Sequence, residues 1–164
     1  MTALRPAGLA LLLALGACRT VPPPALARVV LVRHAETAPD GTRDPGLSAA
    51  GRRRADALAA RLDGLVAVFA SEYRRTQETA APAAEAAGLA VTVEPFGGEP
   101  MEASVARLAA AVRAAAVPGG TVLVVGHSNT VPAVAEALGA GPVAPIAEDE
   151  YDREVTVEVA TGPR

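Results

Sequence analysis

The chain has 164 residues, a formal net charge of −3 and 51% hydrophobic residues, which is enough for one domain with a sizeable core. The charge is mixed, with no basic face or stripe to make a nucleic-acid footprint, and Phe69, Phe96, Tyr73 and Tyr151 offer few platforms for stacking bases or sugars. The single cysteine, Cys18, excludes an intramolecular disulfide and any CxxC-type metal or redox motif.

Residues 1–17 read as an address. Arg5 supplies a basic start, and an apolar run from Gly8 to Ala17 follows, about half the length that a membrane-spanning helix needs. The run ends in Leu15-Gly16-Ala17-Cys18, which is similar to a bacterial lipobox: the small residues fit the peptidase and the cysteine becomes the lipidated first residue. The expectation is a lipoprotein-type signal peptide over 1–17, a tether over 18–27 containing Pro22-Pro23-Pro24, and a domain over 28–164. The protein would then face the cell envelope or periplasm and touch the membrane by its lipid anchor only. Two readings compete: an ordinary signal peptide cut after Ala25-Leu26-Ala27, and a misplaced start on a cytoplasmic protein.

From Arg28 onward strand and helix patterns alternate. Val29 to Val32 is a continuous apolar run, as a parallel strand covered on both faces requires. Ser48 can cap a helix from Ala49 to Leu62. A strand over 65–70, an Ala-rich helix over 74–87 closed by Gly88, and a strand over 89–93 stopped by Pro95 follow. Apolar residues at 105, 108, 109 and 112 mark a helix over 101–116. Thr121 to Val125 is a wholly apolar strand apart from Thr121, and Val131, Val134, Ala135 and Leu138 mark one more helical face. Glu154 to Val159 alternates and reads as an edge or half-exposed strand. The fold class is therefore α/β: a three-layer α/β/α sandwich with a mostly parallel central sheet and helices on both faces.

Ligands of such sheets bind beyond the carboxyl ends of the strands. The chemistry-bearing residues cluster there: Arg33-His34 after the first strand, Ser71 to Arg75 after the second, Glu94 to Glu99 after the third, and Gly126-His127-Ser128 after the fourth. Taken singly, each histidine is as well explained by a hydrogen-bonded strand end. Together, like charges among two histidines and two arginines at one sheet edge would repel by roughly several kcal/mol at an effective dielectric near 20. A phosphate dianion relieves that repulsion, and arginine forks match its oxygens.

At these positions the sequence resembles the histidine phosphatase, or phosphoglycerate-mutase-like, superfamily, in its small single-domain branch. Leu31-Val32-Arg33-His34-Ala35-Glu36 is similar to the RHG signature, with Ala35 in place of glycine. Ser71 to Ala80 resembles the S-x-L-x-R-A-x-x-T-A segment and aligns Arg75, not Arg74, with its arginine. Asp44-Pro45-Gly46-Leu47-Ser48, Gly51 and Ala55 resemble D-x-P-L-S-x-x-G-x-x-x-A, and Val125 to Ser128 resembles the second histidine motif.

The resemblance implies a phosphoric monoester hydrolase of the histidine acid phosphatase type that needs no cofactor or metal. His34 would attack phosphorus, Arg33 and Arg75 would clamp nonbridging oxygens, and His127 would donate to the same oxygens. The backbone at Ser128 and Asn129 would add to the anion site, although plain helix capping explains their side chains more simply. The superfamily's acidic proton donor has no clear counterpart. Glu99 is the first candidate, because Gly97-Gly98 could let it turn inward, with Glu94 and the 148–152 acidic cluster as alternatives.

The domain leaves little room for a substrate lid, so an open pocket and a loose or large-substrate specificity are expected. A small-molecule or envelope phosphomonoester would be the substrate. The competing class is a non-catalytic phosphate- or polyanion-binding lipoprotein. A phosphoglycerate mutase fits less well for want of a lid, and a protein phosphohistidine phosphatase less well because its partners are cytoplasmic.

Mass spectrometry of the membrane fraction should find the mature chain beginning at a lipidated Cys18. An unmodified chain beginning at Arg28 would refute the lipoprotein reading.

Overall fold

Runs of β-branched residues can be wholly apolar only where both faces of a strand are covered, and the structure covers them. The computed structural model describes residues 25–162, so the expected signal peptide, Cys18 and most of the tether lie outside the described residues. Five strands, β1 (Leu26–Arg33), β2 (Leu65–Ala70), β3 (Val91–Val93), β4 (Thr121–Gly126) and β5 (Glu154–Ala160), form one sheet in the order β3-β2-β4-β1-β5. All pairings are parallel except β1 with β5.

Four helices complete the domain: α1 (Ala49–Arg61), α2 (Arg74–Ala86), α3 (Met101–Ala115) and α4 (Thr130–Leu138). Alternate side chains of each strand serve opposite layers. Val30, Val32, Val68, Ala70, Leu123 and Val125 pack with Leu58 of α1 and Ala80, Ala83 and Ala84 of α2. Val29, Leu31, Phe69, Val122 and Val124 pack with Val105, Leu108 and Val112 of α3 and Val131, Val134 and Leu138 of α4. The three-layer α/β/α sandwich expected from the sequence is the fold observed.

Two boundaries differ from the sequence expectation by two residues or more. The last tether residues are strand: Leu26 and Ala27 pair with Ala160 and Val159 of β5, and Ala27 is buried. Ala-Leu-Ala carries no strand signal of its own, so a distant partner decided its conformation. The third strand begins at Val91 rather than Leu89. Gly88, at φ 67°, reverses the end of α2, and the Leu89 N–H bonds back to the Ala84 carbonyl, which keeps Leu89 in the helix exit.

The loop from β1 to α1 is pinned by the Asp44–Ala55 stretch. Ser48 Oγ accepts from the Gly51 N–H, as the cap expectation requires, and the Ser48 N–H donates to the Glu36 carbonyl. Gly51 is packed so tightly on that carbonyl that a Cβ there would overlap the Glu36 oxygen. Leu47, Ala55 and Ala35 form a small buried cluster directly beneath the loop. Ala35 is fully buried and its φ is not positive, so alanine replaces the superfamily's glycine without strain, its methyl filling this cluster.

Gly51→Ala should destabilise the domain by about 2–3 kcal/mol, the upper end of overpacking costs, because the obstacle is backbone. Urea unfolding checks this by a lowered midpoint at unchanged slope.

Candidate active site

Strand register brings the site together. Arg33 pairs with Gly126, and the His34 N–H donates to the Gly126 carbonyl at 2.9 Å, so residues following adjacent parallel strands become neighbours. The rings of His34 and His127 stand edge to face, 5.4 Å between centroids. On the other side of β4, Ala70 pairs with Val125, which sets Ser71 against His127. A cavity of about 440 Å³ at this edge is lined by Arg33, His34, Arg75 and His127, together with Glu72, Tyr73, Phe96, Gly97, Met101, Ser128, Asn129, Thr130 and Glu148.

Arg33 is 8% exposed and immobilised. Its Nη1 donates to the carbonyls of Ala147, at 2.9 Å, and Glu148, and its guanidinium lies 4.4 Å from the ring centre of Tyr151. Its Nε is buried and has no hydrogen-bond partner among the described residues. A buried donor without a partner is costly, and an anion in the cavity would satisfy it. Arg75 stacks on Tyr73 at 4.3 Å and lies 3.6 Å from Asp44. Asp44 also accepts from the Arg74 N–H, so it ties the β1–α1 loop to the start of α2. The Arg74 side chain turns away to Glu78 at the surface, so of the two adjacent arginines Arg75 is the one in the cavity.

His34 is 8% exposed. Its Nδ1 lies 2.9 Å from the Ala35 carbonyl oxygen, which can only accept, so Nδ1 carries the proton and Nε2 presents a lone pair. Burial, opposed by that hydrogen bond and reinforced by Arg75 and Arg33, lowers its pKa to about 4. Thr79 Oγ1 accepts from the Ala35 N–H and donates to the Arg75 carbonyl, locking the loop that carries His34 to α2.

His127 Nε2 is bonded to Ser71 Oγ at 2.9 Å, and Ser71 Oγ to Thr76 Oγ1 at 2.9 Å. Nδ1 is therefore the ring nitrogen left for an anion, and the tautomer with Ser71 donating to Nε2 makes it a donor. The His127 pKa is lowered to about 3, by burial first and then by Arg75, His34 and Arg33. Both rings are neutral near pH 7, and His34 offers the Nε2 lone pair to the cavity.

The structure places the remaining candidates unevenly. Ser128 and Asn129 line the cavity at the start of α4, but Asn129 at the N-cap makes no side-chain cap bond. Thr130 Oγ1 accepts the His127 N–H instead, so the capping expectation for Asn129 is corrected. Glu99 is not brought to the cavity: its carboxylate accepts from Ser104 and from Arg107, which holds its pKa below the ordinary carboxylate range. Glu94 is likewise engaged by Arg107. The Gly97-Gly98 turn does not aim Glu99 inward, because Arg107 of α3 holds that side chain. The 148–152 cluster reaches the site through the Glu148 main-chain carbonyl and Tyr151, with Glu150 tied to Arg153. Sequence reasoning gave no role to Ser71, Thr79, Tyr73, Tyr151 or Glu72. For Ser71 and Thr79 a signal existed, since both stand in the quoted motif.

Residues 29–96 match the family model described as histidine phosphatase superfamily (branch 1). That match, this fold and the site just described liken the chain to the histidine phosphatase superfamily. Among solved structures it is similar to the mycobacterial glucosyl-3-phosphoglycerate phosphatase, at 21% identity over 81% of this chain and 90% of that one, with a TM-score of 0.63. A structure described as mycobacterial hydrolase 2 is similar at 21% identity over 85% of each chain, TM-score 0.65. At that identity the likeness is one of fold. A structure from Nakamurella multipartitia, provisionally assigned as the phosphohistidine phosphatase SixA, is 33% identical over 68% of this chain and 66% of that one, TM-score 0.51. No curated protein matches the chain.

The lowered histidine pKa values fix a pH dependence. An unfolded histidine binds its proton near pH 6.5, whereas the folded site refuses it until about 4 (His34) or about 3 (His127). Stability is thus present above pH 6.5 and is lost as pH falls through this window, with a slope of about two protons near pH 5 by linkage. Urea unfolding in phosphate-free buffer from pH 7 to 5 should show that slope, and His34→Asn should remove about half of it.

Proposed function

We propose that the protein is a phosphatase that hydrolyses phosphomonoesters through a phosphohistidine on His34, without need of a metal ion. The observation that carries this reading is the Nδ1–Ala35 hydrogen bond, which leaves His34 Nε2 deprotonated inside a pocket of two arginines. His34 Nε2 attacks phosphorus as the ester P–O bond opens toward the cavity mouth. Arg33, through its free Nε, and Arg75 take the nonbridging oxygens, where charge shifts in the transition state. Both are held before substrate arrives, by carbonyls and stacked tyrosines, so little reorganisation accompanies the reaction. His127 adds a neutral donor, and water then releases phosphate from the histidine. The superfamily's solved neighbours include phosphatases, which supports the reaction class but names no substrate.

The location belongs to the same proposal: an exported lipoprotein anchored through Cys18, acting on a small or envelope-borne phosphomonoester. β1 enters the sheet at the end opposite the cavity, so such an anchor would tie the domain to the bilayer by its far end. The short β3–α3 connection, residues 94–100, leaves the cavity open and suits loose specificity.

Residues 19–164 should hydrolyse p-nitrophenyl phosphate in the presence of EDTA. His34→Ala should lower kcat by at least about a thousandfold and Arg75→Ala by about a hundredfold or more. Acid-labile phosphate should be trapped on the wild-type chain alone. A folded chain that binds phosphate without turnover from pH 5 to 8 would instead identify a binding protein.

A further inference from the structure

The two-step reaction leaves one proton unassigned. An alkoxide departing from phosphorus needs a donor, and the water that later attacks phosphohistidine needs an acceptor. The carboxylates singled out from the sequence, Glu94 and Glu99, are both held by Arg107. Arg107 stabilises the charged form of Glu99, which makes that carboxyl a poor proton source at neutral pH, and neither Glu94 nor Glu99 lines the cavity.

Glu72 stands apart from them. It follows Ser71, the residue bonded to His127, and lines the same cavity as His34, Arg33 and Arg75. Its Oε2 accepts from the Phe96 N–H at 3.0 Å, which fixes the carboxyl against the β3–α3 loop. No arginine, lysine or histidine nitrogen among the described residues pairs with it, and Oε1 has no hydrogen-bond partner there. A backbone N–H suits either protonation state: Oε2 can accept it as the carbonyl oxygen of a neutral carboxyl while Oε1 bears the proton.

Position agrees with this chemistry. His34 sits buried at the cavity floor, and in-line displacement sends the leaving oxygen outward. The half-buried Glu72, with Phe96, Gly97 and Met101, borders that outward side.

We propose that Glu72 is the acid–base residue for the leaving group, a role that rests on the phosphohistidine reading above. In the first step the N–P bond forms at His34 Nε2, the P–O ester bond breaks, and the Glu72 proton passes to the departing oxygen, which leaves as the alcohol. In the second step water attacks phosphorus, the N–P bond breaks, and the water proton returns to the Glu72 carboxylate, restoring both groups.

The full chain, wild type and with Glu72→Gln, Glu94→Gln or Glu99→Gln, is assayed on p-nitrophenyl phosphate and on glycerol phosphate. Gln keeps the acceptor for the Phe96 N–H and removes only the transferable proton. Expected for Glu72→Gln is a fall in kcat/KM of a hundredfold or more, on the order of general acid catalysis, for glycerol phosphate, against less than about tenfold for the aryl ester. The wild type should depend only weakly on leaving-group acidity, a readout that a merely structural residue would not change. Equal losses on both esters, no loss on either, or a selective alkyl-ester loss in Glu94→Gln or Glu99→Gln would overturn the assignment. Absence of all turnover in the wild type would overturn the phosphatase reading itself, separately from the choice of acid.

Discussion

Two guanidinium groups held at one end of a parallel sheet repel each other and oppose protonation of both neighbouring imidazoles, and much of the surrounding loop structure keeps them there. Arg33 is fixed by the Ala147 and Glu148 carbonyls and by Tyr151, Arg75 by Tyr73 and Asp44. Among the described residues no carboxylate pairs with Arg33; its partners are two main-chain carbonyls and a ring face. Burial first, and then the field of Arg75 and Arg33, pushes both histidines toward the neutral form. A site of this kind is arranged for an arriving anion: positive before substrate binds, dry enough for the charge to count, and held before reaction.

The motif residues that flank the site divide into those that meet the cavity and those that hold the chain around it. Thr79 bonds the Ala35 N–H and so locks the loop that carries His34 to α2. Asp44 reaches from the β1–α1 loop to the first turn of α2 beside Arg75. Gly51 and Ala55 let α1 settle against Glu36 and the small Ala35–Leu47–Ala55 cluster. Glu36, in turn, is held by a two-pronged pair with Arg54. A motif spread over fifty residues thus acts as one clamp about the nucleophile.

Openness is the other property that shapes function. The β3–α3 connection spans residues 94–100 and carries Phe96 and Gly97 at the cavity rim, with no inserted cover. Under the proposed phosphatase reading, recognition would fall on the phosphoryl group itself and on the few apolar side chains at the mouth. Such a surface would discriminate little between alcohols, since one apolar contact more or less changes affinity by only about 1–3 kcal/mol.

Much of the fold was legible in the sequence because buried parallel strands and amphipathic helices write their period directly into residue order. Strand ends at 65, 70 and 121, the Ser48 cap and the placement of Arg33, His34, Arg75 and His127 at strand termini all followed from local pattern. The sequence by itself also determined that the core would be built of Ala, Val and Leu, and that two histidines and two arginines would need an anion. What it could not hold was anything set by partners far along the chain. Leu26 and Ala27 became strand through β5, Arg107 drew the carboxylates of Glu94 and Glu99 to itself, and the Phe96 N–H fixed Glu72 at the cavity. Local sequence sets backbone preference and which residues are available, whereas the direction of a carboxylate depends on which donor the tertiary fold brings within 3 Å, and only the tertiary structure decided that.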